Sequence, residues 1–329
     1  MEKIKNFLAD KRWFAVVMAI ILLGIILSIM SPAFLQVSNL RGVLVQSSVT
    51  CIMSVGLTFV ILTAGIDISI GSILFLSATI FATTLQMSGN FMLALLSSLV
   101  IATLAGVLNG FLVYKFDMAP MITTLATYNI YRGLAIHISG ASNIPVPREL
   151  CFLGNGKLIG IPIPLIILLV IFVVGVYAFK NTRFGTFVRA IGDSAESAAE
   201  SNLPVKKTTI IAYTAAGLTA GIGGIILLSR VGGLQSGLGI GMDFTVIAAV
   251  VLGGTKLSGG SGSVIGSVLG AIFLVLIDNG LNLMHASPYI YDAVRGGVLI
   301  FAVIVDRLSY LRQIKTAREQ KEKRIKCSA

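Results

Sequence analysis

Charge is scarce in this chain. Lys, Arg, Asp and Glu make up 12% of its 329 residues, about half the share of an ordinary globular protein. That excludes a soluble domain of ordinary surface. Cysteine is scarcer still. Cys51, Cys151 and Cys327 have no metal-ligand spacing, which argues against a disulfide framework or a thiolate metal centre and leaves three incidental thiols. The two histidines, His137 and His285, are too isolated for a metal site. No nucleophile–base constellation stands out, so no catalytic residues are expected and an embedded enzyme is disfavoured. The run Gly253–Gly262, GGTKLSGGSG, resembles a phosphate loop on the surface. It fails the required spacing because Lys256 is followed by Leu257. No acidic strand end is present to hold magnesium, so no cofactor is expected in this chain.

What the chain has is apolar sequence. Hydrophobic residues make up 56% of it, and the mean hydropathy is +0.94. Charge-free stretches locate the spans. Ile68–Tyr114 alone runs 47 residues without a charge, room for two crossings of about 20 residues each. Ten segments follow: 14–30, 45–64, 70–87, 92–114, 121–138, 163–179, 207–229, 243–255, 262–282 and 290–306. The eighth is too short for a full span and reads as a broken helix. The fold expected is an all-α integral membrane protein of about ten transmembrane helices, some broken or short. A short segment, 1–13, precedes the membrane domain 14–306, and a basic tail, 307–329, follows it.

The net charge of +11 would suggest nucleic acid in a soluble protein. Its distribution points instead to topology. With ten spans and the N-terminus inside, 19 basic residues fall inside and 4 outside. This positive-inside pattern predicts cytoplasmic termini and an even number of spans in a multi-pass membrane protein touching lipid and no nucleic acid. The Ser31-Pro32-Ala33 sequence after the first segment is a poor cleavage signal, so that helix is expected to stay. Residues 139–162, with Pro145, Pro147 and Pro162, are expected outside. Residues 180–206 form the longest polar cytoplasmic connection.

Several constellations carry mechanism. Gly65–Ser72, GIDISIGS, interrupts two apolar segments with Asp67, Ser69 and Ser72. Gly65 and Gly71 permit helix-breaking backbone. Such backbone survives at membrane depth only inside protein or beside water. Asp67 therefore either lines a pathway or caps the third helix at a tight turn, and both readings stand. Asn109, Asn129, Arg132, Asp278, Asn279, Asn282, Asp292 and Arg295 lie within or beside spans. Groups of this kind usually face a bundle interior or water. Asp292 and Arg295, three apart, are expected to pair. In the connection, Asp193 or Ser194 can cap a short helix. Ala195, Ala198 and Ala199 lie at spacings of three and four. They could offer a partner a small-residue face, with Arg183 and Arg189 flanking it. Gly262, Gly266 and Gly270 repeat every four residues, a close-packing face.

In order and spacing these segments resemble the permeases of ribose, xylose, arabinose and galactose ABC importers, from about residue 10 to 310. The resemblance rests on Leu62–Ser72 (LTAGIDISIGS), Gly106–Val113 (GVLNGFLV), Pro120–Leu134 (PMITTLATYNIYRGL), Phe184–Gly192 (FGTFVRAIG), Val250–Ala271 and Asn279–Leu283 (NGLNL). It implies a channel-forming permease of the bacterial inner membrane that translocates a pentose-like monosaccharide by alternating access. A second permease subunit, a cytosolic ATP-binding subunit using ATP and magnesium, and an extracytoplasmic binding protein are its implied partners. It also implies that 180–206 is the coupling loop, carried by Arg183, Gly185, Arg189, Ala190, Gly192, Ala195, Ala198 and Ala199. The pathway residues expected are Asp67, Ser69, Ser72, Asn109, Asn129, Arg132, Asn279 and Asn282. One departure stands out. Where relatives commonly read AARLSGI, this chain has Ala198 to Leu203 as AAESNL, and asparagine can stand for glycine at a left-handed cap. The same motifs are compatible with permeases for nucleosides, branched-chain amino acids or a furanosyl signalling sugar. An ion-coupled carrier using Asp67 or Asp278 is a further alternative, although no convincing inverted repeat accompanies it.

Overall fold

The structure, a computed structural model, describes residues 13–287 and, beyond them, 290, 291, 293–298, 300, 303 and 304. The tenth predicted segment, 290–306, Asp292 and the basic tail fall wholly or partly outside the described residues.

Helices stand at each of the first nine predicted segments. They begin with α1 (Trp13–Met30), α2 (Val37–Leu62), α3 (Ile70–Ser88), α4 (Phe91–Lys115) and α5 (Pro120–Ser139). Helix α2 starts eight residues before the predicted boundary. Ser38, Asn39 and Arg41 lower the hydropathy there but do not interrupt helical hydrogen bonding. Local chemistry sets the turns. Gly89, at φ 65°, ends α3 in the left-handed region. One residue on, the Asn90 side chain accepts from the Leu93 amide at 3.1 Å and opens α4.

Residues 139–162 fold as small pieces: β1 (Ile144–Pro145), a 3-10 turn (Arg148–Leu150), the four-residue α6 (Phe152–Asn155), and a hairpin of β2 (Lys157–Leu158) and β3 (Ile161–Pro162). Then come α7 (Ile163–Asn181), α8 (Arg183–Asp193), α9 (Ala195–Glu200) and the 27-residue α10 (Val205–Val231). Strand β4 (Gly233–Leu234) pairs antiparallel with β1. Helices α11 (Met242–Leu252) and α12 (Val264–Leu283) complete the order. The polar connection therefore holds two helices, where the sequence suggested one.

Helix α10 is the hub, packing against α2, α3 and α4. Small residues permit the approach: a methyl on Gly106 would overlap the Tyr213 carbonyl, and one on Gly217 the Ala102 carbonyl. Gly266 and Gly270 of α12 lie against the Gly253 and Ala249 carbonyls. Gly262 precedes that helix and faces Thr255. Helix α7 is peripheral, exposing Leu169, Val170, Val173 and Val174. Among the described residues, six helices (α2, α3, α4, α7, α10 and α12) are long and apolar enough to cross a membrane. Helix α11, with 11 residues, is half a span.

Candidate functional site: two helix breaks and a polar core

Two stretches of non-helical backbone lie against the packed helices. The first, 63–69, separates α2 from α3. The second, 232–241, separates α10 from α11. They meet where a Cβ on Gly71 would lie 3.1 Å from Asp243 Oδ1 and 3.2 Å from the Gly239 carbonyl. An alanine at 71 would require these neighbours to give by a few tenths of an ångström.

The first break encloses a polar network. Asp67 is fully buried. Its Oδ1 accepts from the Ser69 amide at 2.9 Å and the Ser69 hydroxyl at 2.6 Å. Asn109 donates to Ser69 Oγ at 2.7 Å. Tyr131 donates to Asn109 Oδ1 at 3.0 Å. Thr124 Oγ1 accepts from the Ile68 amide at 3.1 Å and contacts the Ile66 carbonyl at 3.0 Å. Helices α3, α4 and α5 are thus tied to one irregular segment. Ser69, rather than Asp67, is the N-cap residue of α3. Asp67 lies two residues earlier and holds the turn.

Arg132 of α5 and Asp243 of α11 flank the second break. Arg132 donates to the Ser236 carbonyl at 2.8 Å, and its guanidinium lies 4.9 Å from the Phe75 ring centroid. Asp243 is 2% exposed. Among the described residues, five buried side-chain polar atoms have no hydrogen-bond partner: Asp67 Oδ2, Ser72 Oγ, Arg132 Nη1, Tyr213 Oη and Asp243 Oδ1. All belong to residues at or beside the two breaks. Unpaired buried polar atoms are costly and uncommon, so their concentration marks this region as the special part of the fold.

The other expected residues separate. Asn129 lies on the exposed face of α5 and returns its amide to the Leu125 carbonyl. Asn279 exchanges two hydrogen bonds with Asn39, at 2.8 and 3.1 Å. That pair lines a cavity of about 700 Å³ with Gln36, Gln46, Asn155 and Asn282, at the end of the bundle that carries 139–162. Arg41 and Arg230 also line it, and no carboxylate does. Arg295 makes a bidentate pair with Asp278, Nη2 to Oδ2 at 2.7 Å and Nε to Oδ1 at 3.3 Å. Its expected partner, Asp292, lies outside the described residues. Cys151 is buried in the 139–162 segment, and burial, aided by Glu149, pushes its thiol above the ordinary range. Such a thiol is inert at neutral pH.

At the opposite end of the bundle, α8 seats on the end of α2. A methyl on Gly192 would overlap the Leu62 carbonyl and the Gly260 amide. Gly185 is as tight against the Phe179 carbonyl. Phe184 packs at a tilt against Phe59, with centroids 5.2 Å apart. Arg189 donates to the Gly185 carbonyl at 3.0 Å and lies over Phe179. Ala190 is half-buried, and Arg183 is exposed. Ser194 caps α9, accepting from the Ser197 amide at 3.2 Å. Ala198 is buried, whereas Ala195 and Ala199 face outward. Asn202, at φ 55°, closes α9 in the left-handed region. The Leu203 amide donates to the Ala198 carbonyl and the Asn202 amide to that of Ala199. This is a Schellman ending with asparagine in the glycine position.

Sequence reading missed Tyr131, Thr124, Tyr213 and Asp243 at the breaks, and Gln36, Asn39 and Gln46 in the end cavity. Asp243 had a usable signal: a lone acid at the start of an apolar run, directly after the glycine-rich stretch 237–241. Tyr213 had none, since a tyrosine in an apolar helix reads as core.

Interrupted helices that hold acids within an apolar bundle define a multi-pass, all-α membrane protein of the transporting kind. The family described as branched-chain amino acid transport system / permease component matches residues 39–303, and the chain belongs to it. The ribose import permease protein of Escherichia coli K12 is 36% identical over 295 residues, covering 88% of this chain and 91% of that protein. The ribose import permease protein of Bacillus subtilis is 36% identical over 293 residues, covering 88% and 91%. The D-allose transport system permease protein of Escherichia coli K12 is 33% identical over 291 residues, covering 88% and 89%. No solved structure matches.

Proposed function

We propose that this permease subunit imports a pentose-type monosaccharide. The observation that carries the reading is the likeness, over nearly the whole chain, to permeases named for ribose. The cavity at the 139–162 end is compatible with it. Carboxamides both donate to and accept from sugar hydroxyls, and Gln36, Asn39, Gln46, Asn155, Asn279 and Asn282 supply them there. That end faces outward in this reading, with both termini cytoplasmic and ten spans in all. A binding protein delivers the sugar at that face.

A second permease copy or a paralogue completes the passage, and a separate subunit hydrolyses ATP. That subunit docks on the exposed side of α8 and α9, around Arg183, Ala195 and Ala199. Motion of α8 passes through Gly192 to the end of α2 and so to the Asp67 break. Asp67, Ser69 and Asn109 then act as the hinge of the pathway rather than as sugar contacts, because they are sealed from solvent. The test is uptake in cells expressing the permease with its ATPase and binding protein. Labelled ribose should accumulate, and unlabelled leucine should not compete. Uptake of branched-chain amino acids without sugar uptake would overturn the reading.

A further inference from the structure

A second cavity, of about 560 Å³, opens between α5, the start of α11 and residues Arg295, Gly296 and Ile300. Its size is within the range of about 300–1,000 Å³ typical of small-molecule sites. Tyr128, Asp243, Phe244 and Arg295 line it, with Ile68 of the first break at its edge. Asp243 is almost wholly buried, and its Oδ1 has no hydrogen-bond partner among the described residues. Arg132 lies within electrostatic reach of Asp243, and its Nη1 likewise lacks a partner. A carboxylate and a guanidinium lining a cavity open to hydrocarbon would be expensive. Leu125, Ile240, Phe244 and Ile300 on its rim are exposed and apolar; in the sugar-import reading the open side is the water-filled passage.

The charges also select the occupant. Asp243 opposes an anion, Arg132 within its electrostatic reach opposes a cation, and Arg295 is already paired with Asp278. An unpaired acceptor with an unpaired donor within electrostatic reach suits a neutral molecule carrying hydroxyls. Tyr128 and Phe244 supply apolar surface for the carbon face of a ring. From this we infer that the cavity is a monosaccharide-binding station partway along the passage. Asp243 accepts from a sugar hydroxyl at its unpartnered Oδ1, and Arg132, behind it, holds its charge. The inference rests on the sugar-import reading and adds to it a site within this chain, separate from the amide-lined cavity at the other end of α2.

The test uses the assembled permease and ATPase without binding protein. Leu125→Cys, on the rim, is introduced after Cys51, Cys151 and Cys327 are replaced. A small thiosulfonate reagent labels position 125, and D-ribose is the probe. Ribose is expected to slow labelling in a saturable way. Adding Asp243→Asn should raise the protecting concentration about ten-fold or more, the scale of a lost charge-assisted hydrogen bond. Asp243→Glu, which keeps the charge, should retain protection at a shifted concentration and serves if the asparagine variant fails to accumulate. Absence of protection, or protection equal in Asp243→Asn, would overturn the site and indicate a water-filled pocket only. Ribose uptake by the unaltered importer runs in parallel. Uptake without protection removes only this site, whereas absence of uptake removes the sugar reading itself.

Discussion

Gly192→Ala adds one methyl where three chain segments meet. The end of α2, the end of α8 and the 253–263 connection converge there. The Gly260 amide donates to the Leu62 carbonyl at 3.0 Å, and the new methyl would overlap both groups. Neither is a side chain that can rotate away, so α8 must lift or the connection must move. Overpacking of this kind costs about 1–3 kcal/mol. Opening the Gly260–Leu62 hydrogen bond adds about 1 kcal/mol. At 1.4 kcal/mol per decade, a total near 2–4 kcal/mol lowers the population of the seated arrangement roughly thirty- to a thousand-fold. The exposed side of α8 and α9 is untouched. The assay compares Gly192→Ala with Gly24→Ala, a position with nothing within 4 Å of the added Cβ, at equal membrane levels. The ATPase should co-purify with both variants. Uptake should fall at least about ten-fold in Gly192→Ala alone. Wild-type uptake in Gly192→Ala would refute transmission through this contact.

Other substitutions probe other parts of the account. Asn109→Leu removes the donor to Ser69 and the acceptor from Tyr131. At about 1–3 kcal/mol per stranded polar group, it should lower the thermal midpoint of the purified protein and reduce uptake. An unchanged midpoint would show that the network is not holding α3, α4 and α5 together. Ala199→Arg, on an outward-facing position, should leave membrane levels intact and abolish ATPase co-purification. Ala198→Arg, on a buried one, should lower the level of the permease itself. Equal behaviour of the two would contradict the orientation of α9. Reporter fusions within 141–157 and at Ala329 should report opposite sides of the membrane, and the same side for both would overturn the ten-span topology.

The sequence was informative wherever hydrophobicity and backbone chemistry act locally. Nine helices were legible as apolar runs, six of them long and apolar enough to cross a membrane among the described residues, and the half-length of 243–255 announced the short α11. Gly65 and Asp67 announced the first break, Ser194 the α9 cap, and Asn202 its left-handed ending. What pairs across the bundle was not legible. Arg295 meets Asp278, which is 17 residues away, and Asn39 meets Asn279, which is 240 away. Their sequence neighbours give no hint of either. Ala195, Ala198 and Ala199 matched in size, but only packing decides which face α9 turns inward. Asp67 was open between two readings because a glycine-flanked acid looks the same at a surface turn as in a sealed core.

The central claim is ATP-driven sugar import through this chain. It is tested most directly by reconstituting the permease with its ATPase and binding protein in liposomes and following labelled ribose. The account predicts accumulation inside only when ATP, the ATPase and the binding protein are all present, with no dependence on a proton or sodium gradient. Accumulation by the permease alone, driven by an ion gradient, would contradict it.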